Sequence, residues 1–195
     1  MQKKGIALLE SLTQAHSVPG FEDEVREIFV NELREYGELG SDKVGSVYCR
    51  KGDSGPKIMV EGHMDEVGFR VQTILPNGFL KMVPVGGWWG HTLLSQRVEV
   101  KTFSGDKIMG TICSRPPHFL SEAERNKVIG VPNMFVDITA RSQAEAEEWG
   151  VRLGDPICPW SPWTPMRQKG WYMTKAFDNR VGMAGAIQVL SLIHI

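Results

Sequence analysis

Two short segments carry residue types that hold divalent metal ions: Gly62-His63-Met64-Asp65-Glu66-Val67-Gly68 and Lys175-Ala176-Phe177-Asp178-Asn179-Arg180. Neutral imidazole and carboxylate suit zinc, cobalt or manganese. A carboxylate has two oxygens, so one Asp can bridge two ions about 3.5–4 Å apart. His63 is therefore a candidate terminal ligand and Asp178 a candidate bridge. Asp65 follows His63 closely enough to accept the second imidazole N–H, which fixes the tautomer and raises ligand basicity. Glu66 is an alternative for that task. Each motif alone also has a plain structural reading: a hydrogen-bonded loop histidine at His63, and a helix cap at Asp178-Asn179.

The surrounding pattern says what must position these side chains. Residues 3–16 read as a helix on the spacing of Ile6, Leu9 and Leu12, which Pro19-Gly20 breaks off. Val25, Ile28, Phe29, Leu33 and Tyr36 predict an amphipathic helix over 21–36, with Gly37 at its end. Residues 43–50 and Lys57–Glu61 read as strands, which puts His63 just past a strand's C-terminal end, where open α/β sheets bind ligands. From Phe69 the texture is short strands and turns. Phe69–Leu75 and Phe79–Val83 flank the hairpin signal Pro76-Asn77-Gly78, and 97–103, 108–113 and 135–138 are further strands. Ser142 with Glu145 fits a capping box opening a short helix that ends at Trp149-Gly150. After Asp178, residues 180–192 are helical, with Val181, Ala184, Ile187 and Leu190 on one face. The order α/β, then β over about 69–164, then α/β predicts a β domain inserted into an α/β domain.

Composition narrows the partners. The chain has 195 residues and a formal net charge of −1, so there is no electrostatic case for nucleic acid or an anionic membrane. No apolar run approaches the roughly 18 residues of a membrane helix, and Met1-Gln2-Lys3-Lys4-Gly5 lacks the apolar core of a signal peptide. Cys49, Cys113 and Cys158 are far apart and form no C-x-x-C, so reduced thiols in a cytoplasmic protein are expected. His91 and His118 fall in the β block without motif support, and His16 sits where a helix dipole favours it. Trp88, Trp89, Trp160, Trp163 and Trp171 suit either a subunit interface or packing within the chain.

The stretch from Gly62 to Phe69 resembles the first metal motif of the M42 family of metallo-aminopeptidases, which includes glutamyl and tetrahedral aminopeptidases and some members labelled endoglucanase M. The resemblance continues, in order, through Gly86-Gly87-Trp88, Gln96-Arg97-Val98, Pro116-Pro117-His118, Val136-Asp137-Ile138, Val151-Arg152-Leu153-Gly154-Asp155 and Lys175–Gly182, nearly the whole chain. It implies an α/β fold: a three-layer α/β/α dinuclear-metal peptidase domain, incomplete here, over 1–68 and 165–195. It also implies an inserted β-barrel-like domain over 69–164, used in subunit association. It further implies two divalent ions, zinc or cobalt, with His63 on one, Asp178 bridging and Asp65 acting in catalysis by orienting His63. A metal-activated water would remove N-terminal residues from peptide substrates, in a homo-oligomer.

The family's Glu-Glu pair, a further acidic ligand and a final His lie beyond the bridging Asp, and this chain has no counterpart to them, so the chain itself is expected to be inactive. Leu190-Ser191-Leu192-Ile193-His194-Ile195 is what CTG TCT CTT ATA CAC ATC encodes, a string matching a transposase adapter used in library preparation. Ser191–Ile195 is accordingly expected to be adapter-derived, and residues 1–195 alone to be insoluble or partly unfolded. Alternatives are a two-metal amidohydrolase or deacylase, an endoglucanase, for which a metal-free carboxylate pair is the usual equipment, and a non-catalytic assembly module.

Overall fold

The structure is a computed structural model and describes residues 2–193; His194 and Ile195 of the adapter-like tail lie outside the described residues. Two compact units divide the chain: residues 1–66 with 162–195, and residues 67–161.

The first unit contains helices α1 (Gln2–Gln14) and α2 (Asp23–Leu33) and the two-stranded ribbon β1 (Glu38–Ser41) with β2 (Val47–Arg50). Its apolar centre is Leu12 from α1, Val25 and Leu33 from α2, and Met183, Ala184 and Ile187 from a later helix. Burying such side chains is worth about 1.5–3 kcal/mol each, enough to hold short helices that would be marginal alone.

Two expectations change here. Residues 43–50 are not one strand: Asp42 accepts from the backbone N–H of Val44 and Ser46, both at 2.9 Å, and turns the chain between β1 and β2. The β1 partner follows directly on Gly37, which read as a helix exit. Lys57–Glu61, expected as a strand, pairs with no described segment. A strand exists only in a ladder, and without one Ile58 and Met59 stand exposed at 87% and 83%.

The second unit is a closed six-stranded antiparallel barrel. Its strands are β3 (Gly68–Ile74), β4 (Leu80–Val85), β5 (Arg97–Lys101), β6 (Lys107–Ser114), β7 (Met134–Asp137) and β8 (Pro156–Pro159). They run round the barrel in the order β3-β4-β7-β6-β5-β8. Closure leaves no open sheet edge. Alternate residues face inward, as a two-residue period requires: Val98 and Val100 of β5 are buried while Arg97 is exposed. The β3–β4 turn follows the Pro76-Asn77-Gly78 signal, with Gly78 N–H donating to Leu75 O at 2.8 Å. Gly78 has φ 86°, and a Cβ there would lie 2.3 Å from Ala140 O, so only glycine fits.

Two short helices cross the barrel's loops, α3 (Glu122–Arg125) and α4 (Gln143–Glu148). Only half of the capping box expected at α4 forms: Ser142 Oγ accepts from Glu145 N, while the Glu145 carboxylate takes the N–H of Arg141 instead. The full box is at α3, between Ser121 and Glu124. Trp88 stacks on Phe69 and Trp160 lies under the Arg97 guanidinium at 4.1 Å, so these two tryptophans pack within the chain. His91 sits edge-on to Trp89, and His118 lies against Phe119.

Asp155 gives this unit a pH signature. Its carboxylate accepts from Arg152 N at 2.8 Å, but burial dominates and pushes its pKa above the usual 3.8. The folded unit therefore holds a proton that the unfolded chain has released, so this group's stabilisation is full below the unfolded pKa and is lost as pH rises through the folded one. Asp155→Asn keeps an acceptor for Arg152 and removes the buried charge. The expected result is a melting midpoint at pH 7 equal to or above wild type, with a flatter profile from about pH 4 upward. A marked drop at pH 7 would show that the Arg152 contacts outweigh burial.

Candidate metal centre

The first unit continues after the barrel with the small ribbon β9 (Thr164–Pro165) and β10 (Tyr172–Met173), then helix α5 (Phe177–Leu192). Trp163 stacks on Tyr172 beside this ribbon, while Trp171 is exposed. The start of α5 is irregular: Ala176 is left-handed, Asp178 and Asn179 have non-helical φ/ψ, and the peptide between them is cis. Asn179 Oδ1 accepts from Gly182 N at 3.0 Å, so Asn179 supplies the cap expected of the Asp-Asn pair. That leaves the Asp178 carboxylate uncommitted to the helix.

His63 lies in an irregular segment, not at a strand end, and the structure brings it to Asp178. His63 Nε2 faces Asp178 Oδ1 at 2.9 Å. On the ring's other side, Nδ1 faces both the Asp65 main-chain oxygen and Asp65 Oδ1, each at 3.1 Å. All three candidate residues thus form one line: Asp65, imidazole, Asp178. Their side chains are open to solvent, at 44%, 50% and 94% exposure respectively.

This line fits a cation. A neutral imidazole carries one N–H, yet both of its nitrogens face carboxylate oxygens, so the second contact needs a positive centre, a proton or a metal ion. If Nδ1–H points at Asp65, the Nε2 lone pair points at the Asp178 side, as in histidine ligands oriented by a carboxylate. The 2.9 Å separation is that of a hydrogen bond; donors on a tetrahedral ion with bonds of about 2.0–2.2 Å lie roughly 3.3–3.6 Å apart, so the pair would open by about half an ångström around one. The pair is two ligands, short of the four that a tetrahedral ion takes, and among the described residues no group of three His, Cys, Asp or Glu converges on one point.

Glu66 has another job. It is buried, and its Oε1 accepts from Lys175 Nζ and, at 3.5 Å, from Arg180. Glu66 is therefore a carboxylate partner of Arg180. Arg180 takes the inward place on α5 with Met183, Ala184 and Ile187, and Val181 faces solvent. Ala184 and Ile187 are buried as their spacing predicts, and only Val181 departs from the expected face.

Gly62 lets the two segments meet. A Cβ there would lie 2.8 Å from Met183 N and 3.0 Å from Gly182 C, both backbone atoms of α5. Gly62→Ala is expected to push the His63 loop off the helix and weaken divalent-ion binding at His63 and Asp178 about 10–100-fold, the range for changes that misorient ligands. Unchanged affinity in a cobalt titration would show that the loop can shift without moving His63.

Known proteins share this arrangement of chain. A family model described as M42 glutamyl aminopeptidase matches residues 45–194. The crystal structure of a TET aminopeptidase from the marine sediment archaeon Thaumarchaeota archaeon SCGC AB-539-E09 is 44% identical and superposes with a TM-score of 0.91, covering 96% of this chain and 53% of that one. FrvX of Escherichia coli (strain K12) is 41% identical over 193 residues, covering 97% of this chain and 53% of its own. The Pyrococcus horikoshii TET1 peptidase, described as able to assemble into a tetrahedron or a large octahedral shell, is 28% identical with a TM-score of 0.85, over 97% of this chain and 56% of its own. The chain thus spans about half the length of the curated relatives it matches, 53% for FrvX. On the family match and these identities, the chain belongs to the M42 glutamyl aminopeptidase family of peptidases.

Proposed function

We propose that the whole protein is a metal-dependent aminopeptidase that removes N-terminal residues from peptides. The observation that carries this reading is the imidazole of His63 held between two carboxylates, with Asp178 on the Nε2 side. Bound divalent ions, zinc or cobalt, would supply a nucleophilic water at neutral pH and polarise the scissile carbonyl. His63 and Asp178 would hold the ions. Asp65 keeps the proton of His63 on Nδ1 and so keeps Nε2 free to bind. The remaining ligands and the general base belong to the part of the protein outside this chain, as does the rest of a three-layer peptidase domain. Residues 1–195 alone are therefore inactive.

The barrel unit, 67–161, is the association domain of a homo-oligomer. Its exposed Trp89, Phe103, Phe119 and Leu153 support this, as does the reported assembly of the P. horikoshii relative. The free thiols of Cys49, Cys113 and Cys158 support a cytoplasmic setting. No helix among the described residues is long and apolar enough to cross a membrane.

The test is hydrolysis of aminoacyl-anilides and N-acyl amino acids by the whole protein, with and without chelator. Cleavage of the anilides, lost on chelation and restored by zinc or cobalt, is expected. Cleavage of the acylated substrates instead would establish a deacylase, and chelator-insensitive activity would remove the metal.

A further inference from the structure

The three candidate residues are exposed, yet their spacing must be set by something. Asp178 is 94% exposed and His63 50%, so packing on the side chains themselves does not fix them. Beneath them lies a buried ion cluster. The Glu66 carboxylate, 5% exposed, accepts from Lys175 Nζ, 10% exposed, and from Arg180, fully buried. Glu66 follows His63 at a distance of three residues, and Lys175 and Arg180 flank Asp178 on either side. The cluster thus joins the His63 loop to both ends of the Asp178 segment.

The same groups are tied to one further place, the end of α1 and the turn after it. Lys175 Nζ donates to Ala15 O at 3.0 Å and Arg180 donates to Leu12 O at 3.1 Å. Glu66 N donates to Ser17 O at 2.8 Å, and Ser17 Oγ donates to Met64 O at 2.6 Å. Main-chain oxygens at 12, 15 and 17 therefore hold both candidate segments against one helix end.

We propose that Glu66, Lys175 and Arg180 are positioning residues that set the separation of His63 and Asp178, and through it the affinity of the site for divalent ions. This rests on the metal reading given above. A charge-assisted bond between buried groups is short and directional, and groups that orient ligands typically matter 10–100-fold in metal affinity. A cluster serving stability alone would lower the melting point and leave the affinity of the folded protein alone.

The experiment is titration of the whole apo protein with cobalt(II), reading the dissociation constant by calorimetry and the coordination by visible absorption, alongside thermal melts. Glu66→Gln and Lys175→Met are each expected to weaken cobalt binding about 10–100-fold and to alter the absorption bands. Lys175→Arg, which keeps the cation, is expected to retain most of the affinity. Val25→Ala removes a buried methyl pair from α2 without changing any charged group, and is expected to lower the melting point with affinity unchanged. If Glu66→Gln does not fold, Lys175→Met against Lys175→Arg reads the same contact. Wild-type affinity and bands in Lys175→Met, with only the melting point moved, overturn the proposal while leaving the metal reading intact. A wild-type protein that binds no cobalt overturns both.

Discussion

Asp178→Asn in the whole protein is expected to abolish peptidase activity while leaving the fold almost untouched. The carboxylate is 94% exposed and faces His63 Nε2. Exposed positions of that kind move stability by about 0.5 kcal/mol or less. In the proposed bridging role this carboxylate matters for chemistry instead: metal ions contribute several kcal/mol of transition-state stabilisation, and about 1.4 kcal/mol is a decade of rate. Loss of the bridge should therefore cost about three decades in kcat/KM, with a fall in bound metal that elemental analysis reads directly. His63→Ala should match it. Asp65→Asn should cost less, near the low end of the 10–100-fold range for groups that orient ligands, because the Asp65 main-chain oxygen also faces Nδ1 at 3.1 Å and survives the change. Activity of Asp178→Asn within tenfold of wild type would end the bridging role, whatever the melts show.

That ranking of the three residues needed both sequence and structure. His63 and Asp65 stood out as ligand types two residues apart, whereas Asp178, 115 residues further on, was tied to them only by the resemblance of the whole motif order. The barrel strands were legible because alternation and turn residues are local signals: Pro76-Asn77-Gly78 names its hairpin without help from the rest of the chain. What stayed hidden depended on partners distant in sequence. Glu66 looked like a second helper for His63, yet it turns inward to Lys175 and Arg180, contacts across more than a hundred residues. The expected inward face of α5 holds at Ala184, Ile187 and Leu190 but not at Val181, where Arg180 is turned in instead, since a buried arginine makes sense only once its carboxylate is known. Lys57–Glu61 has the apolar centre of a strand but no ladder among the described residues, and hydrogen-bond pairing is not written in one segment alone. The turn at Asp42 was missed because β1 begins one residue after Gly37, where the helix exit was the only signal read.

Phe69→Ala is expected to be the most damaging single change to the barrel. Phe69 sits on β3, which pairs with β4 on one side and β8 on the other, so it lies where the barrel closes. Its ring is fully buried and stacks on Trp88 with centroids 4.8 Å apart and planes 16° apart. Trp88 is itself pinned, its Nε1–H donating to Gly68 O at 2.9 Å, so it cannot swing in to fill the space that Phe69 leaves. A cavity that cannot collapse is the costly kind, and Phe→Ala in a core runs to about 3–5 kcal/mol. Against a typical domain stability of about 5–15 kcal/mol, that leaves a unit near the edge of folding. For a domain of this size each kcal/mol moves the midpoint by about 4–8 °C, so a drop of at least about 12 °C should appear in a melt followed by tryptophan fluorescence. Phe69→Leu keeps most of the volume and loses the ring stacking, which is worth about 0.5–1.5 kcal/mol beyond area, and should fall between the two. If Phe69→Ala costs less than about 1 kcal/mol, the pinned tryptophan has moved after all, and the stability of the barrel rests on strand pairing more than on its aromatic contact.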